Sequence, residues 1–202
     1  MDALPDIPPE TETPRTIAPT DIAQYIRFDQ CARYLRLRLH ERRHGRDFLY
    51  RFNVAPEAIP PILTKSGALF ETHIEEQVAA IDGARMINCK TAAIDDERFR
   101  GPDNNAIVVE LARALQPGEL LFLFQPRLHV TIGDWQLHGD VDLLRAWRDD
   151  AGDLYVLIAD MKSTTAAKVE HRLQVAFYQE MLAALFADAG IADTTIQTAI
   201  LY

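Results

Sequence analysis

The stretch that decides the fold runs from Trp135 to Tyr178 and holds WQLHGDVDLLRAW (135–147), LYVLIADMKST (154–164) and KVEHRLQVAFY (168–178). The first two runs have strand character, and each delivers a carboxylate, Asp142 and Asp160. LYVLIAD is apolar throughout, as a strand covered on both faces is, and it ends on Asp160 with Lys162 two places on. The third run has a helical period that sets Gln174 and Tyr178 one turn apart. A charge at the end of a buried strand must be paired or face a cleft, because desolvating it alone is expensive. Carboxylate oxygens suit hard cations such as Mg²⁺ or Mn²⁺ better than nitrogen or sulfur ligands do. An ammonium beside them orients an attacking water or offsets charge on a phosphoryl oxygen. The pattern points to metal-dependent phosphodiester hydrolysis.

Working outward, LLFLFQPRLHVTI (120–132) reads as one long β-rich run, turned by Gly133-Asp134 into the run at 135–147, a hairpin signal. Alternation along that second strand would set Asp140 on the same face as Asp142. A helix over about 166–187 is expected to bury Val169, Leu173, Phe177, Met181 and Leu185, with Gln174 and Tyr178 on the neighbouring stripe. TTIQTAILY (194–202) is a last strand, and its position at the end suggests a truncated chain. Upstream, TKSGALFETHIEEQVAAI (64–81) is helical, with Glu71 and Glu75 on one face and His73 pointing elsewhere. Residues 85–94 read as an additional strand, DDERFRGPDN (95–104) as a surface loop, and Asn105–Leu115 as a short helix closed by Pro117-Gly118. The order from Ser66 is α-β-β-β-α-β: an α/β fold, a central mixed sheet flanked by helices.

Residues 1–18 lack apolar periodicity and carry several prolines, so they read as a disordered or loosely draped leader. Residues 19–60 form an arginine-rich helical segment, with one helix starting at Thr20, and the proline-marked stretch 55–61 separates it from a core at 61–202. Arg33, Arg36, Arg42 and Arg43 belong to a local basic excess. It reads either as a solvated face paired with Glu41 and Asp47, or as a strip of guanidinium forks that match DNA phosphates. The net charge of −9 excludes a surface coated in basic residues but not such a local strip. With 48% hydrophobic and 25% charged residues the chain is of ordinary globular composition. It has no run long enough for a membrane span and no signal-peptide order, which leaves the cytoplasm as the expected compartment. Two cysteines, Cys31 and Cys89, make no disulfide framework, and Cys31 reads as an ordinary buried residue. His129 and His138 lack further soft ligands at zinc spacing and are expected to be structural.

Three of these features together resemble a known family. Gly139-Asp140-Val141-Asp142 resembles the G-x-x-D motif of the PD-(D/E)XK nucleases, Asp160-Met161-Lys162 their D-x-K, and Gln174 to Tyr178 the Q-x-x-x-Y helix of the RecB-type branch. Each motif is weak alone, but all three stand in the family's order over nearly the whole chain, about 19–202. The resemblance implies a restriction-endonuclease-like core and a metal-dependent DNA nuclease, an exonuclease acting in repair, recombination or CRISPR-related processing. It implies Mg²⁺ or Mn²⁺ held by Asp142, Asp160, the Met161 carbonyl and Glu71, which stands four places after Gly67 where the family has a histidine or glutamate. Lys162 would orient water, while Gln174 and Tyr178 would line the groove or support Lys162. Cys31 resembles the first cysteine of the iron–sulfur members, and a cluster there requires cysteines beyond residue 202. The implied partners are DNA and a helicase domain or subunit. The alternative is a catalytically silent nucleic-acid-binding or scaffold module of a helicase–nuclease protein.

Overall fold

A computed structural model of the chain describes residues 15–45, 61–163 and 168–202. Its elements are β1 (Arg15–Ile17), α1 (Pro19–Arg27), α2 (Ala32–His44), α3 (Pro61–Ala79), β2 (Ala84–Asn88), α4 (Cys89–Asp95) and α5 (Asn105–Ala114), with a 3₁₀ turn at Glu97–Arg100. Then follow β3 (Leu120–Phe124), β4 (Arg127–Ile132), β5 (Trp135–Asp140), β6 (Leu143–Arg148), β7 (Leu154–Met161), α6 (Val169–Asp188) and β8 (Thr194–Leu201). The five-stranded sheet has the order β2-β3-β6-β7-β8 and is mixed, parallel at β2–β3 and β7–β8 and antiparallel between. A second sheet of order β1-β5-β4 lies beside it.

The expected order is present as α3-β3-β6-β7-α6-β8, with β2, α4 and α5 inserted before β3 and the β4–β5 hairpin between β3 and β6. Both long β-rich runs break where the chain changes sheet. LLFLF and RLHVTI part at Gln125-Pro126, where Gln125 has φ 53°. A proline restricts the residue before it and withholds an N–H, so the run cannot stay in one ladder. WQLHGD and LLRAWR part at Val141-Asp142, so the alternation that would put Asp140 and Asp142 on one face does not extend across the break. Asp140 is exposed and Asp142 half-buried. The two-residue turn at Gly133-Asp134 does form the hairpin, with Gly133 at φ 57°.

Period-2 alternation sorts the central strands between two apolar layers. Phe122, Phe124, Leu143, Ala159 and Met161 pack with Val78, Phe70 and Ile74 of α3. Leu121, Leu123, Leu144, Val156 and Ile158 belong to the larger core with Tyr178, Met181, Leu182 and Phe186 of α6 and with Leu128, Val130 and Leu137 of the second sheet. The buried stripe of α6 is His171, Gln174, Val175, Tyr178, Met181, Leu182, Leu185 and Phe186. Gln174 and Tyr178 therefore lie on the core stripe rather than beside it, and Val169, expected inside, is 65% exposed.

The N-terminal region departs from its expected form in three ways. Arg15–Ile17, assigned to the leader, pairs in parallel with Trp135–Leu137, while residues 1–14 lie outside the described residues. The single helix is two, because Asp29 and Gln30 take left-handed φ values of 50° and 58°. Cys31 is exposed at the N-cap of α2 rather than buried, whereas Cys89 is buried. The expected strand at 85–94 ends at Asn88, whose side chain accepts from the Lys90 and Thr91 amides and so starts α4. The loop at 95–104 contains the 3₁₀ turn, which buries Phe99.

Candidate active site

Asp142 sits in the crossing between β5 and β6, at the end of the five-stranded sheet, and Asp160 is the seventh residue of β7. Asp160 is 1% exposed, which a carboxylate tolerates only with a partner. Its partner is Lys162, whose Nζ donates to Oδ1 at 2.9 Å and lies 2.8 Å from Oδ2. Oδ2 has no hydrogen-bond donor of good geometry among the described residues. Asp142 Oδ2 accepts from the Met161 amide at 2.7 Å, which pins the two carboxylate-bearing segments together. Burial, and then the negative charge of Asp160, raise the Asp142 carboxyl from 3.8 to about 7; the Met161 N–H and Lys162 oppose this without reversing it.

Glu71 reaches this end of the sheet from α3. Its Oε2 accepts from Gln125 Nε2 at 3.1 Å, and the Gln125 backbone N–H donates to the Asp142 carbonyl at 3.1 Å. Burial and then the charge of Asp142 raise the Glu71 carboxyl, so the two acids sense each other. They do not converge fully: among the described residues no group of three His, Cys, Asp or Glu side chains is placed to hold a metal ion. The reason is topological, since Glu71 rides on the α3 face while alternation puts Asp160 on the Ile158 face with α6. Glu75 is engaged by Asn88 Nδ2 at 2.8 Å, and His73 is exposed. The donor set at the sheet end is all oxygen, which fits a hard divalent cation and no soft one. Burial and a neighbouring carboxylate that push Asp142 to about 7 are conditions that a nearby cation would relieve.

A model of the PD-(D/E)XK nuclease superfamily matches residues 49–202. The chain belongs to that superfamily. No curated protein and no solved structure matches it. The mixed sheet flanked by helices is the restriction-endonuclease-like arrangement of a PD-(D/E)XK nuclease, a class that generally uses divalent metals such as Mg²⁺. No helix among the described residues is long and apolar enough to cross a membrane.

Within this PD-(D/E)XK chain the Q-x-x-x-Y residues do not line an open groove. Tyr178 is 2% exposed, and its hydroxyl donates to the Asp140 carbonyl at 2.7 Å. Gln174, also buried, hydrogen-bonds the Tyr178 hydroxyl. The ring lies against Gly139, where a Cβ would stand 2.8 Å from Tyr178 Cε1 and 3.0 Å from Pro19 Cδ. The glycine of G-x-x-D is there because nothing larger fits between Tyr178 and Pro19.

The arginines separate. Arg33 and Arg36 are exposed, with no partner among the described residues. Arg42 is drawn inward onto Asp21 and His138, so it is not part of an open phosphate strip, and Arg43 is exposed. Two residues near the site escaped sequence reasoning. Gln125 links Glu71 to Asp142, and its signal was the Gln-Pro break in a β run. His171, 9% exposed, has an Nδ1 without a hydrogen-bond partner among the described residues; burial and then Lys162 lower its pKa, and only the fold brings it to Lys162. A cavity of about 320 Å³ lined by Ile87, Asp96, Phe99 and Glu110 does not touch this constellation.

Proposed function

We propose that the chain is a RecB-like, metal-dependent deoxyribonuclease, an exonuclease whose site is Asp142, Asp160 and Lys162 at the end of the five-stranded sheet. The observation that carries this reading is the pairing of a 1%-exposed Asp160 with Lys162 beside Asp142, whose Oδ2 accepts from the amide of Met161, the residue between that pair in sequence. Structural ion pairs are common, but a strand-end acid coupled to a second acid and a lysine is a chemical arrangement. Mg²⁺ or Mn²⁺, when bound, acidifies water and offsets the charge that builds on the phosphate. Asp142, Asp160 and the Met161 carbonyl are the groups that would hold it, with Glu71, now bonded to Gln125, as the further candidate. Lys162, held at Asp160, would orient the attacking water and steady the phosphoryl oxygens. Gln174 and Tyr178 act on Asp142 through Asp140 and Gly139 rather than on the substrate. Arg33 and Arg36 are the proposed contacts to the DNA backbone, and a helicase domain or subunit is the proposed partner.

One observation favours the silent-module reading: the three acids do not converge as one ligand group. Cleavage of labelled single- and double-stranded DNA with Mg²⁺ or Mn²⁺, by wild type, Asp160→Ala and Lys162→Ala, separates the two. Metal-dependent cutting lost in both variants is the expected result. A folded, metal-binding wild type that cuts neither substrate is the silent module.

A further inference from the structure

The segment before the matched span 49–202 contains a buried polar cluster that touches the strand delivering Asp142. Asp21, in the first turn of α1, is 1% exposed. Its Oδ2 accepts from the Ala18 amide at 3.0 Å and from Arg42 Nε, and its Oδ1 accepts from Arg38 Nε at 3.2 Å and Nη2 at 3.1 Å. Burial alone would raise this carboxyl, but the Arg42 bond, the Ala18 N–H and the charges of Arg42 and Arg38 outweigh it and hold the group ionised. Arg42 then passes the connection on, with Nη1 2.7 Å from His138 Nε2. A guanidinium only donates, so Nε2 is the acceptor and the imidazole is neutral at that nitrogen.

His138 stands one place before Gly139 on β5. The same strand is gripped along one edge by β1, at Ile17↔Leu137, and at its end Pro19 and Tyr178 close on Gly139. Val141, fully buried, and Asp142 follow at once. Residues 15–42 thus attach to β5 at Leu137, His138 and Gly139, all within five residues of the acid, with Tyr178 of α6 beside Pro19 at the last of them.

We infer that the N-terminal segment is a positioning clamp for the metal-binding acid: Asp21 and Arg42, through His138 and Pro19, set the end of β5 and with it the place of Asp142. Asp21 and Arg42 are positioning residues, touching neither substrate nor reacting atoms. The consequence for metal affinity rests on the nuclease reading above; the consequence for the β5–β6 crossing does not.

The test uses the whole chain and two measurements on Asp21→Asn, with Glu97→Ala as the exposed control. Amide hydrogen exchange at 139–144 should quicken by about ten-fold or more while β7 keeps wild-type protection, since the segment packs on β5 and α6. Mn²⁺ affinity, read by titration, should fall about 10- to 100-fold, as when a group supporting a ligand is removed. If Asp21→Asn does not fold, Arg42→Lys, which keeps the charge and loses the fork, is read in its place. Unchanged exchange at 139–144, or equal quickening in β7, overturns the clamp and leaves only a contribution to global stability. A wild type that binds no Mn²⁺ overturns the nuclease reading alone, since exchange still decides the clamp.

Discussion

Asp142 is the residue whose protonation the fold controls most directly. Its ordinary value is 3.8 and its folded value about 7, so the folded chain keeps this proton longer than the unfolded one. Its contribution to stability is complete below 3.8 and is lost as pH rises through about 7. With chelator present, urea midpoints should therefore fall between pH 4 and 7, and Asp142→Asn should flatten that slope. A cation at the site favours the ionised form, so the rise in Tm on adding Mg²⁺ should be larger at pH 8 than at pH 6. Equal rises at both would mean that Asp142 is not a ligand. For the chemistry, Lys162→Ala and Asp160→Ala should each lower the cleavage rate about 10²- to 10³-fold with the fold intact.

At the scale of elements, the meeting of β5 and α6 at Gly139 and Tyr178 joins the first and third motifs in one packing contact. Gly139→Ala would drive a methyl into a buried ring and should lower unfolding stability by about 1–3 kcal/mol in urea titrations. Tyr178→Phe removes one hydrogen bond to Asp140 and should lower it by about 1 kcal/mol. If Gly139→Ala is neutral, the contact is looser than the distances here require. The helical period identified α6 but misjudged its face, because Gln174 and Tyr178 are polar and yet buried. Their polar atoms are satisfied by each other and by a carbonyl on β5, 38 residues back, which hydropathy cannot register.

For the molecule as a whole, a net charge of −9 is compatible with DNA binding only if positive charge is gathered locally. Arg33→Ala and Arg36→Ala should weaken DNA binding and each reduce the salt slope by about 1. Arg42→Ala should leave the slope unchanged, because its charge is already taken by Asp21. A slope unchanged in the first two variants would remove α2 from the DNA interface.

The sequence alone determined the α/β class, the strand-end acids, the lysine and the order of the three motifs, because local period and residue chemistry write these directly. It also determined the superfamily, since those motifs stand in sequence order over most of the chain. Only the tertiary structure decided the rest: that two continuous β runs divide between two sheets, that Glu71 approaches from the face opposite Asp160, and that Arg42 turns inward to Asp21. Each of these depends on partners far away in the chain. Whether a polar side chain faces water or a buried counter-charge is settled by what the fold brings against it.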